Sequence, residues 1–419
     1  MKIKLYRYDI LVVAIVILTT AKMIGGLGVG FVTYLDEIFE IIMLGLIGCG
    51  ILMKRYTLTD MKVLGLSLIL LLVGLLGNVL FEYQTQVYIV ALDIIATFKG
   101  IIYFYGIKAI NFNEEQIKNI ISRVYNIFYL IVKIMVPFAL LNLFVDIGMS
   151  NDIVFGIRGF TFVDTGEGNL ALAFYPIVTC LVCKIAMDHN FDKEKIKESL
   201  IIMIIWCATL RSRSIGFAVL FAVLAYYLLL KNKKQKSKIK FWHLGLAGAI
   251  LLFVAKDKIF FYFGNTETAR YNLIKYGLVT LKRFFPIGSG FSTYGSDMAF
   301  KNYSKLYREY DFNSVFGLAE DDGKFSNDGI WGEIFGQFGF VGTIIFIAIF
   351  SIMFWNIYKS ANDKFGKFAV LYVVTIILFG SVGTKTVMHY IVVPSFVLLA
   401  LLSNYYKKVG NDQVVNTDT

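Results

Sequence analysis

The chain has 419 residues; 57% are hydrophobic and 17% charged, and mean hydropathy is +0.67, where soluble domains carry roughly 25% charged residues. Forty-one Lys and Arg stand against 30 Asp and Glu, a net charge of +11. This balance excludes an ordinary soluble domain and leaves two readings of the excess positive charge, nucleic-acid binding or membrane topology. Long apolar runs such as 10–20, 63–79 and 343–355 lack period-2 alternation. A spanning helix needs about 20 apolar residues, and lipid leaves the backbone no alternative short of a closed barrel. The expected fold is an all-α polytopic membrane protein of about 12 transmembrane helices, one membrane domain over 1–419. In chain order the spans are 9–30, 36–53, 62–80, 87–107, 122–147, 169–187, 197–210, 214–230, 240–255, 329–356, 367–383 and 386–405. No small-residue cleavage site follows the first run, so it reads as a retained helix.

Basic residues fall on alternate connections: Lys2, Lys4 and Arg7; Lys54, Arg55 and Lys62; Lys108, Lys118 and Arg123; Lys184, Lys193, Lys195 and Lys197; Lys231–Lys240; then Lys359, Lys364, Lys367, Lys407 and Lys408. The connection Phe81–Gln86 has none. This is the positive-inside pattern. It accounts for the net charge without nucleic acid, puts both termini in the cytoplasm, and turns 256–328 outward as a long extracytoplasmic loop. The lysine run reads as a cytoplasmic anchor, and the tail 410–419 as disordered.

Cys49, Cys180, Cys183 and Cys207 all lie in apolar runs, where cysteine serves as small apolar filler. Three scattered histidines suggest no metal site. Within the spans, Asp93 and Lys133 fit either a proton relay or a compensating partner inside the bundle. Lys22 has Asp36, Glu37 and Glu40 as candidate partners. No inverted repeat is evident, which counts against a transporter.

Between the fifth and sixth spans, the turn-rich FGIRGFTFVDTGEGN places Arg158 outside, against the charge trend. Arg211 and Arg213, in ATLRSRSIGF, sit at the tip of a tight hairpin near the outer headgroup level. Near mid-membrane each would cost roughly 2.5–3.5 kcal/mol on insertion scales, and less at the interface. They either snorkel to lipid phosphate or form an anion site. Two forked guanidiniums two residues apart favour the anion site.

In the long loop, Arg270 opens an amphipathic run suited to lying on the bilayer plane. Gly288 and Gly290 behind Pro286 form a turn whose backbone can approach a ligand. Asp321, Asp322 and Asp328 offer general bases; Tyr303, Tyr307 and Tyr310 offer stacking faces for sugars. Asp328 also stands where a helix begins, in Ser326–Asn327–Asp328, and reads equally well as a helix cap.

These pieces together resemble the Wzy-type polysaccharide polymerases of the O-antigen ligase and polymerase superfamily, over about 155–342. The markers are a Ser-Arg segment opening a mid-chain helix (Arg211, Arg213), a loop arginine before an amphipathic helix (Arg270), and a Pro-x-Gly-x-Gly turn (Pro286, Gly288, Gly290). A polar residue then stands about eleven positions before Gly-x-x-Gly, here Asp328 ahead of Gly339 and Gly342. Ligases of the superfamily place His then Asn there; Asp328 followed by Gly329 favours the polymerase branch. The resemblance implies a metal-independent glycosyltransferase without cofactors in the bacterial cytoplasmic membrane. It would join undecaprenyl-diphosphate-linked repeat units into a surface polysaccharide, capsule or O-antigen, on the outer face. Partners would be the lipid-linked glycan, membrane lipids, a chain-length regulator and a flippase. Arg211, Arg213 and Arg270 would hold the diphosphate with help from Arg158, Asp328 would be the base, and Gly288, Gly290, Tyr303 and Tyr307 would bind substrate. The alternatives are an O-antigen-ligase-like glycan transferase and a lipid-linked oligosaccharide flippase or transporter.

Overall fold

A computed structural model describes residues 8–26, 35–150, 152–154, 156–163, 166–230, 267–325 and 328–415. The elements are α1 (Asp9–Gly26), α2 (Leu35–Leu52), α3 (Leu58–Phe81), α4 (Val87–Lys108), α5 (Glu114–Phe144), a two-residue hairpin β1 (Ile153–Val154) and β2 (Ile157–Arg158), then α6 (Glu167–Asp188), α7 (Lys193–Ala208) and α8 (Ser212–Ala225). After Glu267 come α9 (Ala269–Arg283), α10 (Asp297–Lys301), α11 (Lys305–Glu309), α12 (Trp331–Ser360), α13 (Lys364–Gly383) and α14 (Val393–Val415). Seven described helical segments are long and apolar enough to cross a membrane: α3, α4, α5, α6, α8 with its extension to Leu230, α12 and α13. The expected span 240–255 and the lysine run Lys231–Lys240 lie outside the described residues.

Helix α6 is the hub: 94% of its apolar window is buried, against α5, α13 and α14. Cys180 and Cys183 are fully buried there, their sulfurs facing the carbonyls of Ile121 and Leu398. α3 and α5 are the more peripheral, with exposed Leu68, Leu72, Val79, Leu130 and Leu140.

Side-chain contacts sort the connections into two ends. At one end Tyr83 meets Glu309 and Arg283, Asp152 meets Arg211, and Arg213 reaches Thr384. At the opposite end Tyr56 bonds the Tyr105 carbonyl, and Asp363 meets His189 and Tyr406. Four helices starting at this opposite end, α3, α5, α7 and α13, are capped by side chains in the usual way: Thr57 and Asn113 in capping boxes, Asp192 and Asp363 as single caps. Those starting at the first end differ, as described below.

The loop segment 267–325 folds as a cap with its own aromatic core. Tyr294, Tyr303, Tyr307 and Phe312 pack with Leu273, Phe284, Leu306 and Leu318. α9 lies against α12 through near-contact of backbones: a Cβ at Gly277 would stand 2.8 Å from the Gly332 oxygen. The residues along this contact, Leu273, Gly277 and Thr280, are buried, while Leu278 and Val279 are exposed. The amphipathic face of this helix is therefore used first against protein.

Asp93 fastens the cap to the bundle. Its Oδ2 accepts from the Ser292 amide at 2.6 Å and from Gln337 Nε2 at 2.9 Å, joining α4, the cap and α12. A buried carboxylate needs such donors, so the compensating-partner reading describes it. Lys133 is exposed on α5 with its ammonium 4.3 Å from the Tyr129 ring centre. Asp36 takes Lys99 at 2.7 Å and Glu40 stands 3.6 Å from the same ammonium; the Lys22 side chain lies outside the described residues.

Candidate active site

Three residues flagged in the sequence converge at the capped end. Arg270, second residue of α9, donates from Nη2 to Asp328 Oδ2 at 3.1 Å and to the Gly383 carbonyl at 3.2 Å. Arg213, second residue of α8, donates from Nη1 to Thr384 Oγ1 at 2.7 Å. Its guanidinium also lies beside Gly383, and its charge is felt at Asp328. The hairpin that aims Arg213 is a tight turn: Leu210 takes a left-handed backbone with φ 52°. Thr209 Oγ1 ties that turn to Trp206 O at 2.7 Å and Ser214 Oγ at 3.1 Å.

Asp328 is half-buried, in the loop ahead of α12. Burial pushes its carboxyl above the usual aspartate range, against the opposing pull of Arg270 and Arg213. It is not a helix cap. The N-cap of α12 is Ile330, which offers no side-chain bond, and Asp328 instead faces Arg270. Gly329 between them has φ 91°, a backbone open to glycine at little cost.

The receiving surface for both arginines is the turn 383–386, at the junction between the last two expected spans, 367–383 and 386–405. α14 begins only at Val393. Gly383 and Thr384 meet the arginines; Lys385 is buried and bonds Glu333 at 2.8 Å and the Gly295 carbonyl at 2.5 Å. Thr386 Oγ1 bonds Ser381 Oγ and the Ile377 carbonyl. An ammonium paired inside the bundle holds this turn against both α12 and the cap. Neither Lys385 nor Glu333 was flagged by sequence reasoning, although a lysine at the end opposite the other lysines is the same signal that singled out Arg211.

Arg211 is engaged differently. Its Nη2 lies 3.1 Å from Asp152 Oδ2 and 3.3 Å from Glu167 Oε2, and Glu167 is buried. Glu167 Oε1 also accepts from the Asp152 amide at 3.0 Å. Two carboxylates therefore already meet its charge, and it anchors the hairpin β1–β2, whose next residues dock by Phe160 N to the Ala208 carbonyl at 2.9 Å. Arg158 is half-buried on that hairpin and has no ion pair among the described residues.

The remaining expectations need correction. Gly288 and Gly290 do not face open space. A Cβ at Gly288 would stand 2.4 Å from the Gly339 nitrogen, and one at Gly290 2.4 Å from the Asn78 nitrogen. They let the turn pass between α3 and the break in α12 at Gly339 (φ 60°, ψ −156°). Tyr303 and Tyr307 are buried at 3% and 0% exposure, with hydroxyls bonded to Leu318 O and Gly295 N. Neither ring has a face left for a sugar; both build the cap. Tyr310 is half-buried and stacked on Tyr276, and Asp321 is exposed.

Two further features frame the arginines. Among the described residues no side chain caps α6, α8 or α12, which all start at this end. Helix N-termini without a side-chain cap favour an anion. An apolar groove of about 660 Å³ runs between α12 and α13, from Ile330 and Ser381 to Trp355 and Tyr358. Its upper end lies two residues from both Asp328 and Gly383. No protein-family model matches the sequence, and no curated protein is similar to it.

Proposed function

We propose that the protein is a polysaccharide polymerase that joins undecaprenyl-diphosphate-linked repeat units on the outer face of the bacterial cytoplasmic membrane. The observation that carries this reading is the convergence of Arg213, Arg270 and Asp328 at the mouth of an apolar groove. A polyprenyl chain suits the groove, a diphosphate suits two guanidiniums with uncapped helix N-termini beside them, and a sugar hydroxyl suits a carboxylate.

In the reaction the acceptor hydroxyl gives its proton to Asp328 and attacks the anomeric carbon of the lipid-linked chain. The bond from that carbon to the diphosphate breaks, and negative charge grows on the departing phosphate oxygens. Arg213 and Arg270 are fixed before that charge develops, so little reorganisation is needed at the moment of transfer. A base at hydrogen-bond reach adds typically 10²–10⁴-fold. With cations already in place, the reading requires no divalent metal.

The test is purified protein in vesicles with lipid-linked repeat units, analysed for a product ladder and for free undecaprenyl diphosphate. A ladder of whole-repeat increments with matching lipid diphosphate is expected. Movement of intact lipid-linked units across the bilayer with no new glycosidic bond would make it a flippase. Transfer only to a foreign acceptor would make it a ligase.

A further inference from the structure

The opposite end of the bundle contains a second, separate recess. We propose that it binds a phosphate-bearing anion, through Arg55, Lys108, Lys407 and Lys408 with the amides of Asn111 and Asn404. The recess encloses about 300 Å³, near the lower limit of ligand pockets. Its walls are tied together before any ligand arrives. Asn404 Nδ2 reaches the Ile110 carbonyl at 3.5 Å, and Arg55 Nη1 donates to the Ala109 carbonyl at 2.6 Å.

Of the four cations there, only Lys108 has a carboxylate partner among the described residues. The Asp60 carboxylate is consumed by Lys108 at 2.6 Å on one oxygen and by the Thr57 amide and hydroxyl on the other. Arg55, Lys407 and Lys408 have no ion pair among the described residues. Lys407 stands close enough to repel the Lys108 ammonium. Several other cations at this end are matched, Lys118 to Glu114, Lys184 to Asp188, Lys195 to Glu198 and Arg123 to Asp9; Lys54, Lys62, Lys193, Lys197, Lys359 and Lys367 have no ion pair among the described residues, but none of them lines the recess. A topological excess of lysine explains cations at this end, but not the gathering of unmatched ones around one concave site.

A phosphate completes the arrangement. The Arg55 guanidinium keeps donors beyond the one spent on Ala109, in the fork that suits phosphate oxygens, and the lysines add mobile ammonium groups. The turn carrying Arg55 also exposes Leu52 at 84% and Met53 at 61%. A phospholipid headgroup in the recess would lay its chains against these, and basic recesses between membrane helices hold anionic headgroups elsewhere. A soluble phosphate would use the same cations without that apolar edge.

The experiment is native mass spectrometry of the full chain in detergent with phosphatidylglycerol, phosphatidylcholine or inorganic pyrophosphate. Wild type is compared with Arg55→Gln/Lys407→Gln/Lys408→Gln and with the same-end control Lys359→Gln/Lys367→Gln. Retention of phosphatidylglycerol over phosphatidylcholine, weakened on the order of a hundredfold in the triple variant and unchanged in the control, establishes a lipid site. Pyrophosphate binding that is lost in the triple variant, without lipid selectivity, establishes a soluble-anion site. Binding of neither anion, or equal binding by all three proteins, overturns the proposal. Should the triple variant fail to fold, Lys407→Gln/Lys408→Gln decides it on exposed and half-buried side chains alone.

Discussion

Asp328 and the arginines differ in what each is already bonded to, and their substitutions should separate accordingly. Arg213→Ala and Arg270→Ala remove the donors proposed to meet a departing diphosphate, and loss of one preorganised donor commonly costs about 10²–10³-fold in rate. Product-length analysis should show that loss with normal protein levels, and Lys should restore only part of it because an ammonium is not a planar fork. Arg211→Ala should act through structure, leaving Asp152 and Glu167 without their cation. Its expected signature is a lower melting temperature in detergent; unchanged melting with lost activity would return Arg211 to the diphosphate. Asp328 must be ionised to accept a proton, and its carboxyl is held above the ordinary aspartate range. Activity should therefore rise with pH through a midpoint above about 3.9, the unperturbed value. Asp328→Asn should abolish activity while the protein stays folded; full activity in that variant would exclude Asp328 as the base.

At the scale of elements, the break in α12 and the turn 383–386 hold the site together. Lys385 and Glu333 form a buried pair, and removing one member of such a pair costs about 3–5 kcal/mol. Thermal melts of Lys385→Met and Glu333→Leu should each show that loss, and the double variant should recover much of it. Gly339 sits at φ 60° with a would-be Cβ 2.3 Å from the Gly288 nitrogen; Gly339→Ala should yield little folded protein, and a wild-type melting curve would contradict this packing. Most helix positions were legible in the sequence because apolar length is a strong signal, as at 62–80, realised as Leu58–Phe81. The last helix was expected from 386 and begins at Val393, because Thr386 and His389 are embedded in apolar residues that read as helix; the pairing of Lys385 with Glu333, from another helix, leaves no trace in a local window. Arg213 and Arg270 were legible because positive charge there runs against the topological trend, and Asp328 because it stands eleven positions before Gly339. The burial of Tyr303, Tyr307, Gly288 and Gly290 was not, because composition cannot distinguish a loop that binds sugar from one that packs on itself.

Across the whole molecule, the account requires the cap and the arginine cluster to face outward, with the unmatched lysines in the cytoplasm. Lys305 and Lys359 are exposed at the two ends. In intact cells an impermeant thiol reagent should label Lys305→Cys and spare Lys359→Cys until the membrane is opened; the reverse pattern would invert the topology. The proposed tasks are then separate, glycosyl transfer at the capped end and anion binding at the other, with the groove and α6 between them. The central claim is that Arg213 and Arg270 drive glycosyl transfer from a lipid diphosphate without a metal. It is tested most directly by purified protein extending undecaprenyl-diphosphate-linked repeat units in excess chelator, wild type beside Arg213→Ala/Arg270→Ala. Wild type should give a polymer ladder and the double variant no extension. Equal ladders from both proteins, or a wild-type reaction that stops in chelator and resumes with magnesium, would contradict it.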